Sequence, residues 1–221
     1  MVPKIEKICG NFKFWEAPRW DAVTQTLYFV DINGYSIHRY VPATKKHTNY
    51  CRYSAGKRYA LQFPGQKNTS HFGGIGIANG IAFNVQLKKI YYIDSRTGTV
   101  DEYDFDIEKG VLSNGKPIFT VSKNGLEGMV FDGMTIDTDG NLYIAVCGSR
   151  DIKIDPRRPE TLLDTIVLPA KIISACFGGA NLDELFVTSG QVGITPGPDD
   201  GATFCVTGLD AKGFAGDAVV L

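Results

Sequence analysis

The stretch NGIAFNVQLKKIYYID, residues 79–94, decides the fold. It opens with a polar residue and a glycine, passes through a turn, and ends in an apolar run that starts at Ile90. Short runs rich in aromatic and β-branched residues, bounded by turn residues, are typical of strands. The same order of features recurs elsewhere in the chain, so this stretch is one unit of an internal repeat.

Three further units align with it: EAPRWDAVTQTLYFVD from residue 16, DGMTIDTDGNLYIAV from residue 132 and SACFGGANLDELFVT from residue 174. The lag from the polar opening residue to the apolar strand is 11, 11, 10 and 11 residues, and the units start 63, 53 and 42 residues apart. This period suits the blades of a β-propeller, in which four-stranded sheets surround a central channel. We therefore predict an all-β fold, a β-propeller, formed as one domain over residues 1–221.

Three of the four opening residues carry oxygen donors that suit a metal ion. They are Glu16, Asn79 and Asp132, whereas the fourth, Ser174, is a poor metal ligand. If each lies at the channel end of an inner strand, residues distant in sequence converge on one axis. Two carboxylates and an amide favour Ca²⁺, Mg²⁺ or Mn²⁺, although carboxylates also bind Zn²⁺. The alternative is that they only cap turns; three oxygen donors in one register favour the metal site.

Composition and charge exclude several classes of function. The chain has 221 residues, a net charge of −1 and 43% hydrophobic residues, as expected for one globular domain. Without a run of Lys or Arg, neither nucleic acid nor a membrane is expected as a partner. The N-terminus lacks an apolar signal region, and the five scattered cysteines suit reduced, mostly buried thiols. We expect a cytoplasmic protein that is a monomer or weak dimer.

Several other conspicuous residues are interpreted as structural. Trp20 occupies the apolar position of its repeat unit and is expected in the core. Asp31 and Asp94 close their repeat strands and are expected to be turn or strand-end residues. Residues 137–141, DTDGN, lack the terminal Glu and the flanking helices of an EF-hand and suit a strand-connecting turn. No G-x-S-x-G motif occurs, so a serine hydrolase is not expected.

Around the opening residues the chain resembles the family of regucalcin, gluconolactonase and luciferin-regenerating enzyme. Three segments carry this resemblance: GIANGIAFNVQLKKIYYIDS (76–95), FDGMTIDTDGNLYIAV (131–146) and EAPRWDAVTQTLYFVDI (16–32). The resemblance implies that Asn79 and Glu16 bind metal and that Asp132 both binds metal and acts as proton donor or acceptor. It covers residues 1–50 and 75–221, and departs at Phe131, where the family has Pro.

The resemblance also implies a six-bladed propeller and metal-dependent hydrolysis of sugar lactones. The metal polarises the lactone carbonyl, and Asp132 moves a proton to or from water or the ring oxygen. The segments VTGLDAKGFAG (206–216) and PRRPETLLDTIVLP (156–169) most resemble insect luciferin-regenerating enzymes.

Residues 52–74 form an atypical, shortened segment. Six blades of roughly 40–45 residues need about 240–270 residues, more than the 221 present. The family has about two more blades here, including an Asn-Arg-x-Asn-Asp-Gly run whose Arg and Asn hold the substrate, and no equivalent run occurs. We expect four to five blades. Three interpretations of the short length stay open: the ring closes with four blades, the ring is incomplete, or the sequence comes from a shortened transcript or gene model.

Three functions remain open on these grounds. The leading hypothesis is a metal-dependent lactonase that acts on a small-molecule lactone and uses Glu16, Asn79 and Asp132 as ligands. The alternative is a non-catalytic calcium-binding protein that kept the metal site and lost the segment that holds the substrate. A third, from the C-terminal resemblance, is the processing of oxidised luciferin.

Overall fold

The computed structural model describes residues 2–10, 12–52, 74–148, 150–193 and 195–216. The described residues form sixteen β-strands and one 3-10 turn, Pro42–Thr44. The strands are β1 (Lys4–Cys9), β2 (Trp15–Asp21), β3 (Thr26–Asp31), β4 (Ser36–Val41), β5 (Lys46–Arg52), β6 (Ala78–Asn84), β7 (Lys89–Asp94), β8 (Thr99–Asp106), β9 (Val111–Thr120), β10 (Val130–Ile136), β11 (Leu142–Cys147), β12 (Arg150–Ile154), β13 (Leu162–Val167), β14 (Ile172–Gly178), β15 (Glu184–Ser189) and β16 (Thr203–Thr207).

These strands form four antiparallel sheets of four strands each. Blade I has the order β2-β3-β4-β5, blade II β6-β7-β8-β9, and blade III β10-β11-β12-β13. Blade IV has the order β14-β15-β16-β1, so its outermost strand comes from the start of the chain. This strand pairs Lys4 with Thr207 and thereby ties the two ends of the described chain into one sheet. The prediction of an all-β propeller is confirmed, with four blades in the described residues.

Hydrophobic clusters join neighbouring blades. Tyr91 and Ile93 of blade II pack with Ile144 of blade III, and a second cluster joins blade III to blade IV. Trp20 packs against Phe186 with the rings 5.4 Å apart, in a third cluster that joins blade I to blade IV. Burial of such side chains is the main favourable term in folding. Trp20 is thus a core residue, as predicted.

The inner strand of each blade packs against an inner strand of the next. β6 lies against β10, β10 against β14 and β14 against β2. Within the described ranges, comparable packing does not connect β2 back to β6, and no hydrophobic cluster joins blade I to blade II. The second strand of blades II, III and IV is buried almost throughout. In blades III and IV the reason is that adjoining blades cover both faces of the sheet.

The remaining expectations compare with the structure as follows. The atypical segment 52–74 lies outside the described residues except at its two ends. The cysteines whose side chains are described are free; Cys205 is buried, whereas Cys9, Cys147 and Cys176 are half-buried. No helix among the described residues has the length and apolar character needed to span a membrane.

Candidate metal centre

Each inner strand is irregular at its opening residue. The register of strand pairing shifts between Glu16 and Arg19 in β2, Ala78 and Ile81 in β6, Phe131 and Met134 in β10, and Ile172 and Ser174 in β14. A β-bulge bends its strand and changes the direction of a side chain. Because a register shift lies at or next to the opening residue in every blade, opening residues from separate blades can converge.

Glycine beside two of the opening residues lets the inner strands approach closely. A Cβ atom on Gly80 would lie 2.8 Å from the carbonyl oxygen of Asp132, and one on Gly133 would lie 2.8 Å from the Cα of Ser174. Neither approach is possible for a residue with a side chain unless the neighbouring backbone moves. The small residue in the repeat therefore permits the packing that brings the site together.

Asp31 and Asp94 hold the segments that lead into two opening residues. Asp94 accepts hydrogen bonds from the backbone N–H groups of Gly76 at 2.8 Å and Ile77 at 2.9 Å, just before Asn79. Asp31 accepts one from Phe14 at 3.1 Å, two residues before Glu16. These backbone hydrogen bonds are the main reason that the pKa of Asp94 is lowered. Both aspartates are strand-end residues, as the sequence predicted.

Asn79 of blade II and Asp132 of blade III are in direct contact. The Nδ2 group of Asn79 donates a hydrogen bond to Oδ1 of Asp132 and a second, of 3.1 Å, to Oγ of Ser95. Both amide hydrogens of Asn79 therefore have acceptors. In the sequence these two residues are connected only by their equivalent positions in the repeat. In the structure they lie together at one end of the inner strands.

Glu16 of blade I lies close to the same carboxylate. Burial raises the pKa of Glu16 to about 8, with a further contribution from the charge of Asp132, while a hydrogen bond from the N–H of Ala17 lowers it. Ala17 has a left-handed backbone conformation, φ +49°, which is uncommon for a residue other than glycine. Oε2 of Glu16 is buried and has no hydrogen-bond partner among the described residues.

The centre carries acidic groups without a compensating cationic side chain among the described residues. Burial raises the pKa of Asp132 to about 6, and the hydrogen bond from Asn79 opposes this shift. No cationic side chain of the described residues contributes to lowering either pKa. A bound divalent cation would supply the missing charge and a partner for Oε2 of Glu16. The donor set, two carboxylates and an amide, therefore fits a hard cation.

Soft or imidazole donors are not gathered around this centre. In the described ranges, His, Cys, Asp and Glu side chains nowhere form a group of three or more that could hold a metal. The nearby thiol of Cys147 has a raised pKa because it is buried and because the Asp132 carboxylate is close. A thiol that stays protonated is a poor ligand for a metal.

A cavity of about 670 Å³ lies beside the inner strands but does not include the three acidic and amide side chains. The residues that line this cavity start, on each inner strand, one or two positions after the opening residue, for example at Pro18 and Ile81. Residues 214–216 line it as well. The side chains of Glu16, Asn79 and Asp132 therefore lie outside this cavity.

The structure brings together Glu16, Asn79 and Asp132, as the repeat predicted, and puts Ser174 against Gly133 beside them. Sequence reasoning missed Ser95 and the N–H of Ala17. Ser95 follows Asp94 directly, so knowledge of the β6–β7 register would have placed it beside Asn79. Nothing in the repeat predicted the left-handed backbone conformation of Ala17.

Comparison with known families gives a match over most of the chain. The SMP-30/Gluconolactonase/LRE-like region matches residues 14–56 and 51–191. Regucalcin from Oryctolagus cuniculus is 38% identical over 166 residues, which is 72% of this chain and 54% of the relative. The chain thus spans about half the length of that protein.

Two solved structures share the arrangement of strands. A luciferin-regenerating enzyme superimposes with a TM-score of 0.87 and 34% identity, covering 100% of both chains. A calcium-binding protein, regucalcin, from Agrobacterium tumefaciens superimposes with a TM-score of 0.82 over 97% of this chain and 96% of that one. At 16% identity, the second likeness concerns the fold alone.

Proposed function

Since the chain belongs to the SMP-30/Gluconolactonase/LRE-like family, we propose that it is a metal-dependent hydrolase of sugar lactones. Glu16, Asn79 and Asp132 would hold the divalent cation. The observation that carries this proposal is the convergence of three oxygen-bearing side chains from three blades on one half-buried acidic centre, which no cationic side chain of the described residues neutralises.

The chemistry of the donor set supports a hard cation. Oxygen ligands suit Ca²⁺, Mg²⁺ and Mn²⁺, and Zn²⁺ accepts carboxylates as well. The protonated thiol of Cys147 offers no competing soft ligand. We favour Ca²⁺, because both carboxylates and the amide offer oxygen donors, and keep Zn²⁺, Mn²⁺ and Mg²⁺ as alternatives.

Lactone hydrolysis needs a proton to move from water to the ring oxygen. Water adds to the carbonyl carbon, the bond from that carbon to the ring oxygen breaks, and the product is a hydroxy acid. Asp132 would accept the proton of the attacking water and return it to the ring oxygen. A cation bound to this carboxylate would lower its pKa, so Asp132 would act first as a base. The cation, when bound, supplies polarisation of the carbonyl.

Titration calorimetry of the metal-free chain with Ca²⁺ tests the site. Asp132→Asn keeps the shape of the ligand and removes its charge, and Asp101→Asn is the matched control, because Asp101 is another carboxyl whose pKa burial raises. We expect Ca²⁺ binding by the wild type and the control and strongly weakened binding by Asp132→Asn. A folded wild-type chain that binds none of the four cations would contradict the proposal.

A second candidate, a non-catalytic calcium-binding protein, is favoured by one feature of the sequence. The family's Asn-Arg-x-Asn-Asp-Gly run, whose Arg and Asn hold the substrate, has no equivalent in this sequence. A protein with the metal site alone would bind Ca²⁺ and turn over no lactone. Lactone turnover that Asp132→Ala abolishes would exclude this candidate.

Processing of oxidised luciferin is a third candidate. It is favoured by the 34% identity to the luciferin-regenerating enzyme over the full length of both chains. Recovery of luciferin from oxyluciferin by the purified chain would support it. Gluconolactone turnover without any action on oxyluciferin would leave the lactonase as the function.

A further inference from the structure

We propose that Ser95 is a positioning residue, whose hydroxyl group fixes the side-chain amide of Asn79 for metal binding. The proposal rests on the function proposed above, because it assumes that Asn79 is a ligand. Ser95 is only 9% exposed, and its Oγ lies 3.1 Å from the Nδ2 of Asn79. Among the described residues its side-chain hydroxyl contacts the amide nitrogen of Asn79 and neither carboxylate of the centre, so it would act through the amide.

The backbone holds Ser95 at a fixed place relative to Asn79. The N–H of Ser95 donates to the carbonyl oxygen of Ile77 at 3.0 Å, two residues before Asn79. The preceding Asp94 accepts the N–H of Ile77 at 2.9 Å. Two adjacent residues of one strand end therefore anchor the segment that carries the ligand, and the serine hydroxyl is placed by the same anchor.

An amide ligand has to be oriented, because a half-turn of its last torsion exchanges oxygen for nitrogen. In the structure Nδ2 of Asn79 has two acceptors, Ser95 Oγ and Asp132 Oδ1. A cation bound to the Asp132 carboxylate would compete with the second of these hydrogen bonds. Ser95 would then be the acceptor that remains, holding Nδ2 away from the ion and leaving Oδ1 to coordinate it.

Thr97 provides a matched control in the same turn. Its Oγ1 donates to the carbonyl oxygen of Asp94 at 2.9 Å and lies 2.8 Å from Oγ1 of Thr99. Neither of these hydrogen bonds involves Asn79. Thr97→Ala therefore removes a hydroxyl group and a turn hydrogen bond without touching the amide, whereas Ser95→Ala removes the acceptor of the amide itself.

The test is Ca²⁺ titration calorimetry of metal-free protein for wild type, Ser95→Ala, Thr97→Ala, Asn79→Ala and the double variant Asn79→Ala/Ser95→Ala. We expect Ser95→Ala to raise the dissociation constant about tenfold or more, the usual effect of losing a partner of a ligand. Thr97→Ala should leave it unchanged. In the Asn79→Ala background, Ser95→Ala should add nothing, because the hydroxyl acts through the amide.

Thermal melting of the metal-free variants separates this role from general damage. Should Ser95→Ala lower the melting temperature, Ser95→Cys keeps the shape with a weaker acceptor and should show the same loss of affinity. Two results would overturn the positioning role alone. The first is a wild type that binds Ca²⁺ and a Ser95→Ala variant with the same dissociation constant. The second is a loss of Ca²⁺ affinity on Ser95→Ala that is equally large in the wild-type and Asn79→Ala backgrounds. A wild type that binds no cation would overturn the proposed function and this role with it.

Discussion

The side-chain amide of Asn79 donates a hydrogen bond to the carboxylate of Asp132, a residue 53 positions further along the chain and in the next blade. This contact links the inner strands of blades II and III at their bulges. With Glu16 of blade I beside the same carboxylate, it defines the centre on which the proposed function depends.

Replacing Glu16 by Gln should have opposite effects on metal binding and on the stability of the metal-free protein. Metal affinity should fall at least about tenfold, since one anionic ligand is lost. At pH 9, above the Glu16 pKa of about 8, the metal-free variant should melt at a higher temperature, because a buried charge next to Asp132 is gone. Calorimetry and thermal melting in chelator measure the two effects.

The control for this change is Asp101→Asn, which removes a half-buried carboxylate outside the centre. It should leave metal affinity unchanged. Equal Ca²⁺ affinities for Glu16→Gln and wild type would count against Glu16 as a ligand.

The stability of the metal-free protein should carry a pH dependence that originates in the centre. Folding raises the pKa of Glu16 from 4.5 to about 8 and that of Asp132 from 3.8 to about 6. Between about pH 4 and pH 8 the folded state binds more protons than the unfolded state. The contribution of Glu16 and Asp132 to the free energy of unfolding therefore falls as pH rises. It is fully present below about pH 4 and is lost by about pH 8.

Urea unfolding of wild type and Glu16→Gln from pH 5 to 9 in chelator isolates this effect. The wild type should lose stability relative to the variant as pH rises, and saturating Ca²⁺ should remove the difference in slope. Parallel curves for the two proteins would show that Glu16 titrates normally.

Gly133→Ala should disturb the centre through packing alone. A Cβ atom at this position would lie 2.8 Å from the Cα of Ser174, so blades III and IV would have to separate there. Overpacking of this kind typically costs about 1–3 kcal/mol. We expect a lower free energy of unfolding and weaker metal binding, because Asp132 is the neighbouring residue.

Gly10→Ala is the control for Gly133→Ala. Its added Cβ would lie 3.1 Å from the flexible end of Lys7 and in ordinary van der Waals contact, 3.5 Å, with the Cβ of Ala202. Urea unfolding and Ca²⁺ titration of both variants make the comparison. Full stability of Gly133→Ala would show that blades III and IV do not approach as closely as described.

Much of the fold follows from the repeat. The apolar runs predicted from residues 27, 90, 142 and 185 correspond to β3, β7, β11 and β15, because their burial between blades leaves a strong hydrophobic pattern. Glu16, Asn79 and Asp132 were found because each opens a unit in the same register.

Other features left no pattern in the sequence. A bulge inserts a residue without changing the composition of its strand, so the four register shifts were not predictable from alternation. Ser95 lies outside the repeat units that were aligned, and its role depends on strand pairing. The raised pKa values of Glu16 and Asp132 depend on burial in three dimensions, which a motif does not report.

Gluconolactone hydrolysis by the purified chain tests the central claim most directly. After chelation the assay is run with Ca²⁺, Zn²⁺, Mn²⁺ or Mg²⁺ added back, on wild type, Asp132→Ala and the control Asp101→Ala. We predict turnover that a divalent cation restores, that the control retains, and that Asp132→Ala reduces by about 100-fold or more, as loss of a proton-transfer group does. Cation binding without any turnover in the wild type would contradict the lactonase.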